Sequence, residues 1–160
     1  MSTADAALPV APEVPGPAPS ILIIRAPYYV GVVNGMTAAA KDILRTVAAE
    51  VEIVDVAGAF ELPQALRIAL RGRRKFDGFL ALGCVVRGET DHYEFICSTA
   101  MDGLMQVVLQ YGICLGTALL TVDTLAQAEA RSRETGSNKG AEAAVACLKQ
   151  IALARMLEAV

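Results

Sequence analysis

Phe79-Leu80-Ala81-Leu82 runs on through Gly83 into Cys84-Val85-Val86 without a polar interruption. This is the length and composition of a strand covered on both faces, and such a strand needs a layer of helices on each side. The residues after it are helical in spacing. From His92 onward Ile96, Ala100, Leu104, Val107, Val108 and Tyr111 recur every three or four positions, which places them on one stripe of a helix ending near Gly112. The strand passes into the helix across Arg87-Gly88-Glu89-Thr90-Asp91.

The same alternation recurs along the chain. Ile21-Leu22-Ile23-Ile24 is a short buried strand closed by Pro27, and Met36, Ala39, Ala40, Ile43, Leu44 and Val47 follow helical spacing. Val51 to Val56 then alternates as a strand, completing a βαβ unit. Gly58-Ala59-Phe60-Glu61-Leu62-Pro63 closes that strand and opens a helix through Leu66, Ala69 and Leu70, with Pro63 tolerated in its first turn. A fourth strand over Cys114 to Leu120 precedes a helix from about Thr124 to Arg133, which Gly136-Ser137-Asn138 breaks. A last helix is expected from about Lys139 to Glu158, with Ala144, Cys147, Leu148, Ile151 and Leu157 on one side.

Four strands alternating with helices imply a mostly parallel sheet with helices on both faces and right-handed crossovers. Ligands in such sheets bind beyond the carboxyl ends of the strands. That rule points to Ala26–Tyr29, Gly58–Glu61, Cys84–His92 and Thr121–Asp123.

With 160 residues, 54% of them hydrophobic, and a mean hydropathy of +0.46, the chain can bury one sizeable core and has no room for two. A single domain over residues 21–160 is expected, preceded over residues 1–20 by a flexible Ala/Pro-rich tail holding Pro9, Pro12, Pro15, Pro17 and Pro19. No apolar stretch reaches the roughly 18 to 20 residues a bilayer span needs, and the start lacks the basic-then-apolar pattern of a signal peptide. The expectation is a soluble, cytoplasmic protein with no membrane partner.

A net charge of −3 without a long basic block argues against a nucleic-acid partner. The cluster Arg71-Gly72-Arg73-Arg74-Lys75 reads as a solvated helix end. Cys84, Cys97, Cys114 and Cys147 form no C-x-x-C pair and read as small core residues; only Cys97 has a histidine close in sequence. The single histidine excludes a two-histidine metal site within one copy, and no metal is expected. Neither G-x-G-x-x-G nor a Walker sequence occurs, so a dinucleotide fold and a phosphate-loop nucleotidase are unsupported. High apolar content with four Tyr, four Phe and no Trp points to apolar surface used in subunit contacts, hence a homo-oligomer.

The junction before His92 has a physical use. The first amides of a helix lack intrahelical partners and carry the positive end of the dipole, so an anion fits there. Gly88 lets backbone approach such a group, and Thr90 or Asp91 can serve as N-cap. The plainer reading is an ordinary βα turn. His92 in the first turn favours chemistry, because imidazole exchanges protons near neutral pH.

Gly58-Ala59-Phe60-Glu61-Leu62-Pro63, Gly83-Cys84-Val85-Val86-Arg87-Gly88-Glu89-Thr90-x-His92-Tyr93 and Asn138-Lys139-Gly140, in that order and separation, resemble the lumazine synthases. The resemblance extends from about Ile21 to the last residue. It implies a flavodoxin-like three-layer α/β/α sandwich with a four-stranded parallel sheet. It also implies the condensation of 5-amino-6-(D-ribitylamino)uracil with 3,4-dihydroxy-2-butanone 4-phosphate, with loss of phosphate and water, in riboflavin biosynthesis. No cofactor is implied. The two small molecules would be its partners, with self-association into pentamers or larger assemblies and sites between subunits.

By the same resemblance His92 would transfer protons, and Glu89 and Thr90 would hold the butanone phosphate with Arg131 as the charged partner and Lys139 close by. Ala59, Phe60 and Glu61 would face the pyrimidine and ribityl chain, and Cys84, Val85 and Val86 would present backbone to the uracil edge. Without the resemblance, Arg131 reads as a solvated helical charge, Glu61 as a first-turn acid and Lys139 as a structural residue of the final helix. Two positions depart from the family pattern. Arg25-Ala26-Pro27-Tyr28-Tyr29 replaces the usual aromatic motif after strand one, with Tyr28 on the stacking position and Tyr29 as its alternative. Thr117 stands where many members carry a bulky residue reaching a neighbour's site. The alternative function is a catalytically weak flavin- or lumazine-binding, or shell-forming, homologue.

Overall fold

The computed structural model describes residues 9–134 and 136–158. The expected tail over 1–20 and domain over 21–160 both extend beyond these bounds, so residues 1–8, 135, 159 and 160 lie outside the described residues. The element order is β1 (Ser20–Ala26), α1 (Val30–Thr46), β2 (Glu50–Asp55), a 3-10 turn (Ala59–Glu61), α2 (Leu62–Arg71), β3 (Gly78–Val86), α3 (His92–Tyr111), β4 (Leu115–Val122), α4 (Leu125–Ala130) and α5 (Lys139–Met156).

The four strands form one sheet in the order β2-β1-β3-β4, every pair parallel. Side chains alternate across it with period two. Ile21, Ile23, Leu80 and Leu82 meet Val33, Met36 and Leu44 of α1 and Ala144, Cys147, Leu148 and Ile151 of α5. Leu22, Ile24, Phe79 and Ala81 meet Leu62 and Leu66 of α2 and Ala100 and Leu104 of α3. This is the three-layer α/β/α arrangement expected from the alternating elements. Each fully buried Leu or Ile contributes about 1.5–3 kcal/mol relative to exposure, and β1 and β3 supply half of them because both faces of these strands are covered. β2 lies at the edge, where Ile53 and Val54 remain exposed.

Several expectations need correction. α1 begins at Val30, six residues before Met36, because Val32 and Val33 already belong to its buried stripe. α4 ends at Ala130 rather than near Arg133, and Arg131 is its C-cap. On α3 only Ala100 and Leu104 are buried; Tyr111, placed on the buried stripe by its spacing, is exposed. In the proline-rich stretch, residues 9–19 form neither helix nor strand, yet they are not loose. Ala11 and Val14 pack against the core, and Arg155 donates to the carbonyls of Pro15 and Pro17, both at 2.7 Å.

Asn138 ties the α1–α5 layer together at the start of α5. Its Oδ1 accepts from the N–H of Gly140 at 2.8 Å and of Ala141 at 3.4 Å, capping the helix. Its Nδ2 donates to the carbonyls of Arg133 at 2.9 Å and Gly35 at 3.3 Å. Next to it, Gly140 lets the α5 backbone lie against the carbonyl of Met36, a contact any β-carbon would block.

Candidate active site

Beyond the carboxyl ends of β1, β2 and β3 opens a cavity of about 680 Å3. Tyr28 and Tyr29 enter it from the loop after β1, and Ala57 to Glu61 from the segment after β2. Cys84, Val85 and Val86 form its floor at the end of β3, and His92 and Ile96 reach it from α3. The lining is mostly apolar, with a carboxylate, an imidazole and two phenols, the mixture that orients a small polar ligand. Of the thirteen residues named from the sequence, eight line this one cavity: Tyr28, Ala59, Phe60, Glu61, Cys84, Val85, Val86 and His92. Sequence reading left out Ala57 and Ile96; Ile96 was assigned to the helix core, although its place one turn after His92 puts it on the same side of α3.

Local structure explains how the groups converge. Gly58 has extended backbone and precedes the 3-10 turn, which presents Ala59, Phe60 and Glu61 before Pro63 enters α2. The Glu61 carboxylate lies beside Gly58, where a β-carbon would come within 3.3 Å of its Oε2. Tyr28 and Tyr29 stack edge to face with ring centroids 5.1 Å apart. Tyr28 is 76% exposed, whereas burial, with Cys84 and Tyr28 next to it, pushes the Tyr29 phenol up. Burial likewise pushes the Cys84 thiol up to about 11. A thiol so raised stays protonated at neutral pH, and Cys84 contributes to the floor of the cavity.

Glu89 and Thr90 are exposed on the junction between β3 and α3. α3 starts at His92, with Asp91 at the N-cap position in helical conformation and making no side-chain capping bond. The expectation that Thr90 or Asp91 caps the helix is therefore corrected. The first helical bonds run from the N–H groups of Glu94 and Phe95 to the carbonyl of Asp91. The amides ahead of them are left over as donors for an anion, as at other helix starts.

The remaining site candidates lie elsewhere in the subunit. Thr117 and Lys139 border a separate hollow of about 300 Å3 between β4 and α5. The Thr117 hydroxyl is turned back onto the sheet, donating to the carbonyl of Ala81 at 3.3 Å. Lys139 pairs with Glu142 at 2.6 Å. Arg131, at the end of α4, donates to the carbonyl of Gln127 at 2.8 Å. A third hollow, about 740 Å3, lies between α1 and α4; of the residues weighed from sequence only Tyr29 borders it. It is larger than the cavity around His92 and is bordered by the polar side chains of Asn34, Glu129, Ser132, Arg133 and Glu134, without a histidine.

A parallel sheet flanked by helices, with a carboxylate, an imidazole and apolar groups gathered beyond its strand ends, defines the class: an α/β protein with a cavity at its strand termini, where ligands of such sheets bind. The comparisons narrow it. Residues 18–155 match the model of the 6,7-dimethyl-8-ribityllumazine synthase family, and the chain belongs to that family. It is 38% identical over 139 residues to the 6,7-dimethyl-8-ribityllumazine synthase of Methylorubrum populi, spanning 84% of this chain and 82% of the relative. The protein of the same name from Paramagnetospirillum magneticum is 37% identical over 143 residues, 86% of this chain and 95% of the relative. The one from Jannaschia sp. is 41% identical over 135 residues, 84% of this chain and 75% of the relative.

Proposed function

We propose that this chain is a transferase that condenses 5-amino-6-(D-ribitylamino)uracil with 3,4-dihydroxy-2-butanone 4-phosphate to 6,7-dimethyl-8-ribityllumazine, releasing phosphate and water. Family membership over residues 18–155 supports the reaction. The observation that carries the site is the convergence of His92, Glu61, Phe60 and the end of β3 on one cavity.

In this reading the pyrimidine lies against Phe60 and Tyr28, with Cys84, Val85 and Val86 offering backbone to its edge and Glu61 accepting bonds from ribityl hydroxyls. The phosphate sits at the start of α3 on Glu89 and Thr90, which contribute backbone donors there. His92 moves protons between imine formation and phosphate elimination, a role worth ~10² to ~10⁴ in rate. Holding two substrates together contributes at least as much. No cofactor takes part.

Arg131, Lys139 and Thr117 belong to the same reaction through the neighbouring subunit. They stand apart from the His92 cavity within one chain, which suits a site completed on assembly into pentamers or larger shells in the cytoplasm. Apolar surface for such contacts is available on α2 and α3, where Ile68 and Phe95 are each 68% exposed and Leu109 is 76% exposed.

The test is lumazine formation followed by absorbance with purified protein and both substrates. Turnover above their spontaneous condensation is expected. Tight riboflavin binding without turnover would replace this reading with that of a flavin carrier.

A further inference from the structure

We propose that Arg87 is a positioning residue for this reaction, its guanidinium gripping the first turn of α3 and so fixing His92. The inference rests on the function proposed above and concerns a residue that does not line the cavity.

α3 begins without a side-chain cap, and an uncapped first turn is the part of a helix most prone to fray. His92 is the first residue of that turn. Arg87 holds the two residues that follow it. Its Nη1 donates to Glu94 Oε1 at 2.5 Å, and its Cζ lies 4.2 Å from the centre of the Tyr93 ring. The other side of the guanidinium reaches the end of β4, where Nε donates to Asp123 Oδ1 at 2.8 Å.

Both roots of this clamp are fixed. The Arg87 N–H donates to the carbonyl of Val122 at 2.9 Å, extending the β3–β4 ladder. The Asp123 N–H donates to Gln127 Oε1 at 2.8 Å within the capping box of α4. The sheet is rigid, so the clamp transfers its rigidity to the turn that carries His92. Apart from His92, Arg87 is the only basic residue between Val86 and Phe95, a stretch that holds Glu89, Asp91 and Glu94. A guanidinium can engage two carboxylates and a ring face at once, which a lysine ammonium cannot match.

A purely structural reading makes a different forecast. The ion-pair side chains are 45–65% exposed, and ion pairs this exposed add little to stability. The signature of positioning is therefore kinetic and depends on His92.

The experiment is a double-mutant cycle on the full chain, measuring kcat and the KM for each substrate in wild type, Arg87→Ala, His92→Ala and the double variant. Arg87→Ala is expected to lower kcat between ~10- and ~100-fold, the scale of a displacement up to about 1 Å. In the His92→Ala background the same change should cost less than about twofold, because the group it positions is gone. Arg87→Lys should fall between wild type and Arg87→Ala. Hydrogen exchange should quicken at the amides of Glu94 and Phe95, which bond to the carbonyl of Asp91, in Arg87→Ala and stay unchanged in α5. Equal losses in both backgrounds, or unchanged exchange at the start of α3, would overturn the inference while leaving the proposed function standing. Absence of turnover in wild type would overturn both. If Arg87→Ala does not fold, Glu94→Gln takes its place in the cycle with the same expectation and the same overturning result.

Discussion

Cys147 on α5 lies fully buried against the sheet, its Sγ 3.7 Å from the carbonyl oxygen of Cys114. Burial, reinforced by Cys114, pushes its thiol up to about 12 from an ordinary 9.0. The unfolded chain loses this proton first, so above pH about 9 ionisation favours the unfolded state and stability falls as pH rises. The urea midpoint is expected to drop between pH 9 and 11, and to drop less steeply in Cys147→Ala. Equal slopes would show that this thiol does not carry the effect. Residue identity was readable where chemistry depends on type: His92, Glu61 and the Gly83–Tyr93 run all drew attention as sequence. Arg87 lies in that run but carried no role of its own, because its partners Glu94 and Asp123 are 7 and 36 positions away and only the fold joins them.

At the scale of elements, two of the five α-helices have a side-chain cap at their start, while α1 and α2, like α3, have none. α4 has a capping box between Thr124 and Gln127, α5 has Asn138, and α3 has no side-chain cap. Asn138 is buried and makes four bonds, two of them to backbone outside its own helix. Asn138→Ala removes the cap of α5 from a buried position and deprives the part-buried carbonyls of Gly35 and Arg133 of a donor, so a loss of about 1–3 kcal/mol is expected in chemical unfolding. A loss below about 0.5 kcal/mol, ordinary for surface changes, would mean that water replaces the amide. The strands were legible because two-sided burial writes a continuous apolar run, and β3 differs from its predicted span only by Gly78. The buried stripe of α3 was less so. Its apolar residues spread over more than one face, and periodicity does not tell core burial from surface awaiting a second subunit.

For the whole molecule, the division of the predicted site residues is the main result. One group gathers around His92, while Thr117 and Lys139 border another hollow and Arg131 ends α4. Sequence supplied both groups through motif resemblance, but which residues share a subunit's cavity follows from the crossovers and sheet order, which spacing alone does not encode. In the proposed assembly each subunit carries two half-sites completed by its neighbours. Complementation tests that most directly. His92→Ala should slow lumazine formation by ~10² to ~10⁴, and Arg131→Ala should raise the KM for the phosphate-bearing substrate. When the two variants are unfolded together and refolded as mixed assemblies, some interfaces recover an intact His92 opposite an intact Arg131. The prediction is turnover clearly above the sum of the separately refolded variants. A mixed assembly no more active than that sum would contradict a site shared between subunits.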